Sequence, residues 1–296
     1  MTSFASKAFS HHGYAAFRPS YPNHLYSLIF SFHNGPSSLA LDLGTGHGLV
    51  ARYLSPHFDR VIGSDPSAGM IQEAKNLSSE YTNISFHQAS AERSDFVNDN
   101  SVDLVVAAQA SHWFNYDSLW PELKRIVRPG GTLAFWGYKD HVMVSHPKAT
   151  ALINHYAYDH DPWLMGSYWQ QPGRSIVQQK LRAVQPPPQD WNDITRLEYE
   201  PETGEGTRFM QAKMKLGTME EYIRTWSAFH AWKGRWPNRK RRAVDGDGEG
   251  DVIDELMDRI REEEPELRGE GVEGGWREVE VDIEWGSALI MARKKQ

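Results

Sequence analysis

Apolar positions in the first half of the chain fall into short runs separated by helical stretches and small polar turns. Leu39-Ala-Leu-Asp-Leu43 ends in a glycine cluster, and Leu49, Val50, Tyr53 and Leu54 follow at helical spacing, which predicts strand, tight turn and helix. The rhythm then repeats. Arg60–Asp65 reads as a second strand, Pro66-Ser67 opens a helix carrying Met70, Ile71, Ala74 and Leu77, and residues 83–88 read as a third strand. Val102–Ala110 is apolar on nearly every position, as a buried parallel strand requires, and Arg128-Pro-Gly-Gly-Thr-Leu-Ala-Phe135 closes a helix and starts a fifth strand. Strands alternating with helices predict an α/β, doubly wound sheet.

The texture changes after Tyr138. From Lys139 to residue 275 the glycine-punctuated rhythm is lost, tryptophans accumulate and Pro186-Pro-Pro188 interrupts the chain, so this stretch reads as a mostly helical insertion. Helices are expected over 149–158, 175–184 and 218–230, the last opened by a capping box of Thr218 with Glu221 and carrying Tyr222, Trp226 and Phe229 on one stripe. Val252–Arg261 is amphipathic. Residues 276–285 alternate strictly and 288–293 are apolar, which predicts a terminal β-hairpin turning at Gly286-Ser287. The expected domains are 1–138, 139–275 and 276–296.

The glycine loop carries the chemistry. Gly44, Gly46 and Gly48 lack Cβ, so the turn accepts positive φ and a ligand can approach the backbone where the free N–H groups of a helix start point outward. A dinucleotide fingerprint fails, because its third glycine falls on Leu49. Asp42-Leu-Gly-Thr-Gly-His-Gly48 instead resembles the first motif of class I S-adenosylmethionine-dependent methyltransferases. Asp65 ends the second strand about 20 residues beyond the first glycine, the spacing that sets a carboxylate on ribose hydroxyls.

A narrower resemblance lies in Tyr14-x-x-Phe17-Arg18-Pro19-x-Tyr21-Pro22 together with Ala108-Gln-Ala-Ser-His-Trp-Phe114, which are similar to the trans-aconitate methyltransferase group and its fungal relatives. Tyr222-Ile-Arg-Thr-Trp-Ser227 resembles the same group. The resemblance implies a seven-stranded sheet completed by the terminal strands, an inserted helical cap over the acceptor, and S-adenosylmethionine as cofactor. It implies a cofactor set of Tyr14, Asp42, Gly44, Thr45, Gly46, Gly48, Asp65, Pro66, Met70, Ala91, Glu92, Ala108 and Gln109. Acceptor contacts are expected from Arg18, His112, Trp113, Arg224 and Trp226. Tyr14 and the aromatic stripes also fit plain core packing, since burial is the commoner fate of such residues.

His112 follows the carboxyl end of the fourth strand, the edge at which open α/β sheets bind ligands. It reads either as a base or acceptor positioner, or as a residue holding its loop through a backbone carbonyl. The implied reaction is methyl transfer to a small molecule, on a carboxylate that needs no base or on a hydroxyl that does. N- or C-methylation, a non-methylating reaction on the same fold, and cofactor binding without turnover stay open.

Composition narrows the field. Zero cysteines exclude disulfides, thiolate catalysis and zinc–thiolate sites. A net charge of −7, and Gln109-Ala-Ser-His-Trp where base-flipping enzymes carry an Asn/Asp-Pro-Pro-Tyr motif, argue against a nucleic-acid substrate. No run approaches transmembrane length and the start lacks a signal-like apolar core, so a cytoplasmic monomer or homodimer without membrane insertion is expected. No metal is expected: the acidic run from Asp245 places Leu256 at the twelfth position, where a calcium loop needs glutamate.

Overall fold

The computed structural model describes residue 17 and residues 19–243 and 248–296. Tyr14, Arg18 and the start of the acidic run at Asp245 lie outside the described residues. The chain divides into two compact units: a core unit of Ser20–Lys139, Pro172–Met210 and Gly286–Gln296, and an inserted unit that contains Asp140–Gln171 and Gln211–Trp285. The stretch 139–275 therefore contributes to both.

In the core unit, helix α1 (Asn23–Phe32) precedes β1 (Leu39–Leu43), α2 (Leu49–Leu54), β2 (Arg60–Asp65), α3 (Ala68–Leu77), β3 (Ile84–Gln88), β4 (Val102–Ala108), α4 (Tyr116–Ile126) and β5, which runs Val127–Met143. Ser67 caps α3 as its position predicts, its hydroxyl accepting from the Met70 amide at 3.3 Å. β1, β2, β3 and β4 pair in parallel with their neighbours, β4 also with β5. Leu41, Leu43, Val105, Ala107, Leu133 and Phe135 are fully buried between the helical layers, which explains strands with no polar face. One exception is Asp103 on β4, which accepts from the amides of Ser38 and Leu39 at 2.7 and 2.8 Å and pairs with Arg128 at 2.6 Å. It locks the entry of β1.

Short helix α5 (Pro147–Tyr158) falls close to expectation, whereas α6 is only Gly173–Gln178. It stops there because Lys180 and Leu181 take positive φ, 53° and 56°, which no helix continues. The sheet then gains β6 (Trp191–Glu200), β7 (Glu205–Gly206), β8 (Gln211–Lys215) and finally β9 (Glu280–Lys294). The order is β3-β2-β1-β4-β5-β9-β6-β7 with β8 paired to β9, a nine-stranded version of the methyltransferase sheet.

The end of the chain departs from the predicted hairpin. β9 is one continuous strand that pairs antiparallel with β8 over Glu280–Glu284 and with β6 over Ser287–Lys294. Gly286 is not among the positive-φ glycines that a tight hairpin turn would demand. Its missing Cβ instead makes room for Lys139, whose Cε would lie 2.2 Å from a Cβ built there. The strand beside it, β6, escapes the hydrophobic pattern because its length carries charge: Glu198 and Glu200 hold Lys180, Arg182 and Lys139 at 2.7–2.9 Å.

Within the inserted unit the expected helix over 218–230 is two: α7 (Leu216–Arg224) and α8 (Ser227–Arg235). The Thr225 hydroxyl donates to the Tyr222 carbonyl at 2.6 Å, and Trp226 is extended (φ −66°, ψ 139°), so the chain turns between them. Thr218 does not cap, since α7 begins after Lys215. The capping box forms instead at Asp251 and Asp254, opening α9 (Val252–Glu263).

Candidate active site

The loop after β1 is shaped by three glycines at positive φ: Gly44 at 67°, Gly46 at 53° and Gly48 at 81°. Their reasons differ. A Cβ on Gly44 would sit 2.4 Å from the Cβ of Ala110, so this residue is small to let the loop after β4 pack against it. A Cβ on Gly46 would meet nothing within 4 Å among the described residues, so here the backbone borders open space.

Two carboxylates organise this loop. Asp42 is 1 % exposed and accepts from the Thr45 hydroxyl at 2.5 Å, and burial pushes its carboxyl up to about 7. Tyr26, buried and stacked on Tyr53 at 3.5 Å, is pushed up by burial first and then by Asp42. Asp65 at the end of β2 accepts the Gly46 amide through Oδ2 at 3.1 Å and the Ser67 amide through Oδ1 at 2.8 Å. Between Gly46 and Gly48, His47 is buried and its imidazole falls to about 4, burial being the main cause and Arg52 the next.

The other expected cofactor residues are distributed around the same strand ends. Pro66 is exposed and its carbonyl accepts from Gln88 at 3.2 Å, while Met70 and Ala91 are buried. Glu92 accepts the Asn115 amide at 2.8 Å, so its carboxylate ties the start of α4 to the preceding loop. Ala108 ends β4 half-buried, and Gln109 takes φ 51°. The Gln109 amide group is clamped on a backbone: its Oε1 accepts from Tyr138 N at 2.7 Å and its Nε2 donates to Tyr138 O at 2.8 Å. Sequence reading had no signal for this clamp, because its partner lies 29 residues away.

Beyond Gln109 a single turn, Ser111–Trp113, carries His112. His112 is buried against Trp113, with ring centroids 4.7 Å apart. The Tyr116 hydroxyl donates to the Ser111 carbonyl at 2.7 Å and holds the turn from below. On its other side stands Gly173 of α6, where a Cβ would come within 2.9 Å of the Trp113 ring and 3.3 Å of His112. Gly173, which no motif marks, sets how closely α6 approaches His112.

The expected acceptor residues in the inserted unit have other company. The guanidinium of Arg224 meets Glu220 at 3.0 Å, Asp251 at 2.6 Å and Asp254 at 2.7 Å. Glu220 also takes Arg241 and Arg277 at 2.9 and 2.8 Å, so the basic run near 240 is drawn partly into a buried ion network. Trp226 is 2 % exposed, edge-on to Tyr222 at 6.1 Å and beside Trp169 at 5.6 Å. Among the described residues no cluster of side chains suits a metal, and no helix is long and apolar enough to cross a membrane.

A mixed sheet of this strand order is the methyltransferase Rossmann-like fold, and the chain is an S-adenosylmethionine-dependent methyltransferase. Residues 41–135 match the methyltransferase domain family. The chain is 29 % identical, over its whole length and 99 % of the relative, to CRG1 of Saccharomyces cerevisiae, described as a probable S-adenosylmethionine-dependent methyltransferase. Methyltransferase cfoB of Aspergillus candidus is 28 % identical over 62 % of the chain and 61 % of its own length. Among solved structures, a protein of Anaeromyxobacter dehalogenans provisionally assigned as a type II methyltransferase superposes with a TM-score of 0.67 at 25 % identity, covering 94 % of this chain and 98 % of that one. S-adenosylmethionine is the cosubstrate.

Proposed function

We propose that this methyltransferase acts on a hydroxyl group of a small molecule. The observation that carries the choice of a hydroxyl over a carboxylate is the enclosure of Arg224 by Glu220, Asp251 and Asp254, which neutralises the described cation best placed in sequence to hold an anionic acceptor. A carboxylate would find no uncompensated partner there.

S-adenosylmethionine supplies an electrophilic methyl group on a sulfonium leaving group. The open face at Gly46 admits it, and the Asp65 carboxylate, fixed by the Gly46 and Ser67 amides, takes the ribose hydroxyls. The Gln109 clamp holds the loop after β4, and His112 on that loop receives the acceptor's hydroxyl proton. A positioned base of this kind contributes roughly 10²–10⁴ in rate. The remaining barrier is lowered by orientation and by exclusion of water.

Calorimetric titration with S-adenosylhomocysteine, on the protein and on Asp65→Ala, tests cofactor binding; micromolar affinity in the first and a loss of about tenfold or more in the second is expected. A screen of neutral phenols and alcohols against small carboxylates, read as S-adenosylhomocysteine release, then tests the acceptor. Turnover of carboxylates alone would overturn the hydroxyl assignment.

A further inference from the structure

The least explained polar group in the molecule is His141, near the end of β5 in the inserted unit. It is 1 % exposed, and among the described residues neither Nδ1 nor Nε2 has a hydrogen-bond partner. Buried polar atoms are nearly always satisfied, so an imidazole with two unmet nitrogens indicates a partner that the described residues do not provide.

Its surroundings are aromatic. Tyr222 stands edge-on with centroids 5.6 Å apart, and Trp226 and Trp285 lie tilted at 6.3 and 6.2 Å. These separations fall in the range where aromatic rings attract one another edge to face. The wall continues through Trp226 to Trp169 at 5.6 Å and on to Tyr158, stacked on Trp169 at 6.2 Å. The hydroxyl of Tyr158 donates to Asp140, the residue before His141.

We infer that the inserted unit contains a recognition site in which His141, caged by Tyr222, Trp226 and Trp285, hydrogen-bonds the hydroxyl of a neutral aromatic small molecule. The site is formed by residues of the inserted unit alone and does not rest on the methyl-transfer reading.

The charge of the ligand follows from the electrostatics. Burial holds the imidazole down at about 4, so at neutral pH His141 offers one N–H donor and one lone pair and no positive charge. Asp140 beside it adds a negative field, and aromatic faces repel anions. A hydroxyl can meet either capacity of a neutral imidazole, accepting from its N–H or donating to its lone pair, and an attached ring continues the aromatic wall.

The test is an NMR titration of protein labelled with ¹⁵N in its histidine rings, using 4-methylphenol as probe, benzoate as its anionic counterpart, and His141→Phe to assign the resonance. The His141 ring nitrogens are expected to shift and saturate with 4-methylphenol, more weakly with benzoate, and His141→Phe to bind 4-methylphenol about tenfold less tightly. No movement of the His141 signals, tighter binding of benzoate, or equal affinity in His141→Phe would overturn the site. If His141→Phe does not fold, His141→Gln supplies the assignment and the wild-type titration decides the question. Calorimetry with S-adenosylhomocysteine on the same sample separates the two readings. Cofactor binding without a His141 response removes this inference alone, and a His141 response without cofactor binding removes the methyl-transfer reading and leaves the site.

Discussion

The Gly46 amide donates to the Asp65 carboxylate at 3.1 Å, joining the loop after β1 to the end of β2. Among the described residues a Cβ on Gly46 would project into open space, whereas Gly44 is packed against Ala110. The two glycines should respond to substitution in different ways. Gly46→Ala is expected to lower S-adenosylhomocysteine affinity at least about tenfold while costing about 1 kcal/mol of stability through its positive φ. Gly44→Ala is expected to cost about 3 kcal/mol or more, because overpacking adds to the same backbone strain. Calorimetry and thermal melts on both variants check the contrast.

Gln109 is predicted to act on the loop carrying His112 by fixing its foundation. Gln109→Ala removes both bonds to the Tyr138 backbone, at about 0.5–1.5 kcal/mol for each bond. The expected result is a lower melting temperature together with a lower kcat. Gln109→Glu keeps the acceptor for Tyr138 N but loses the donor to Tyr138 O, so it should fall between the wild type and Gln109→Ala or below both.

Arg224→Ala is expected to destabilise the protein by about 3–5 kcal/mol, since it strands Asp251 and Asp254 without their shared cation and takes one of its cations from Glu220. Denaturant titration measures this. Any active fraction should show an unchanged acceptor KM; a large KM increase in folded protein would return Arg224 to the acceptor site.

Stability should rise with pH between about 4 and the ordinary histidine range. His47 and His141 are both depressed to about 4 by burial, so over that interval the unfolded chain binds protons that the native state refuses, and folding weakens as pH falls. Each group contributes a slope of about 1.4 kcal/mol per pH unit there. Asp42, raised to about 7, works in the opposite direction between the ordinary carboxylate range and pH 7, because its native form holds a proton that the unfolded form has released. The net slope stays positive with two histidines against one aspartate. Melting curves from pH 4.5 to 7 should flatten in His141→Phe and steepen in Asp42→Asn.

Gly173→Ala places a methyl group within 2.9 Å of Trp113 and 3.3 Å of His112. Its backbone is outside the positive-φ set, so the substitution acts through the displaced rings and not through strain. The expected effect is a lower kcat with an unchanged affinity for S-adenosylhomocysteine, measured by steady-state kinetics beside calorimetry.

Local pattern made the glycine loop and the strand ends beside it readable. Asp42, the three glycines, Asp65 and the Ser67 cap are set by short-range demands: positive φ, a carboxylate at a strand end, a hydroxyl before a helix. The reading failed where charge hid a strand or where a break had a purely local cause too subtle for periodicity. β6 is lined with Glu198, Glu200 and Arg196 and has no clean apolar alternation, and the helix over 218–230 is interrupted by one hydroxyl-to-carbonyl bond at Thr225.

By itself the sequence determined the strand–helix order, the glycine loop and the acids that serve it, because each is specified within a few residues of chain. Only the tertiary structure decided that Gln109 clamps Tyr138, that Arg224 is neutralised, that β9 runs straight through Gly286, and that His141 is caged without a hydrogen-bond partner among the described residues. Those outcomes depend on which distant residues arrive as neighbours, and a side chain's charge state and hydrogen bonds are set by its neighbours in space.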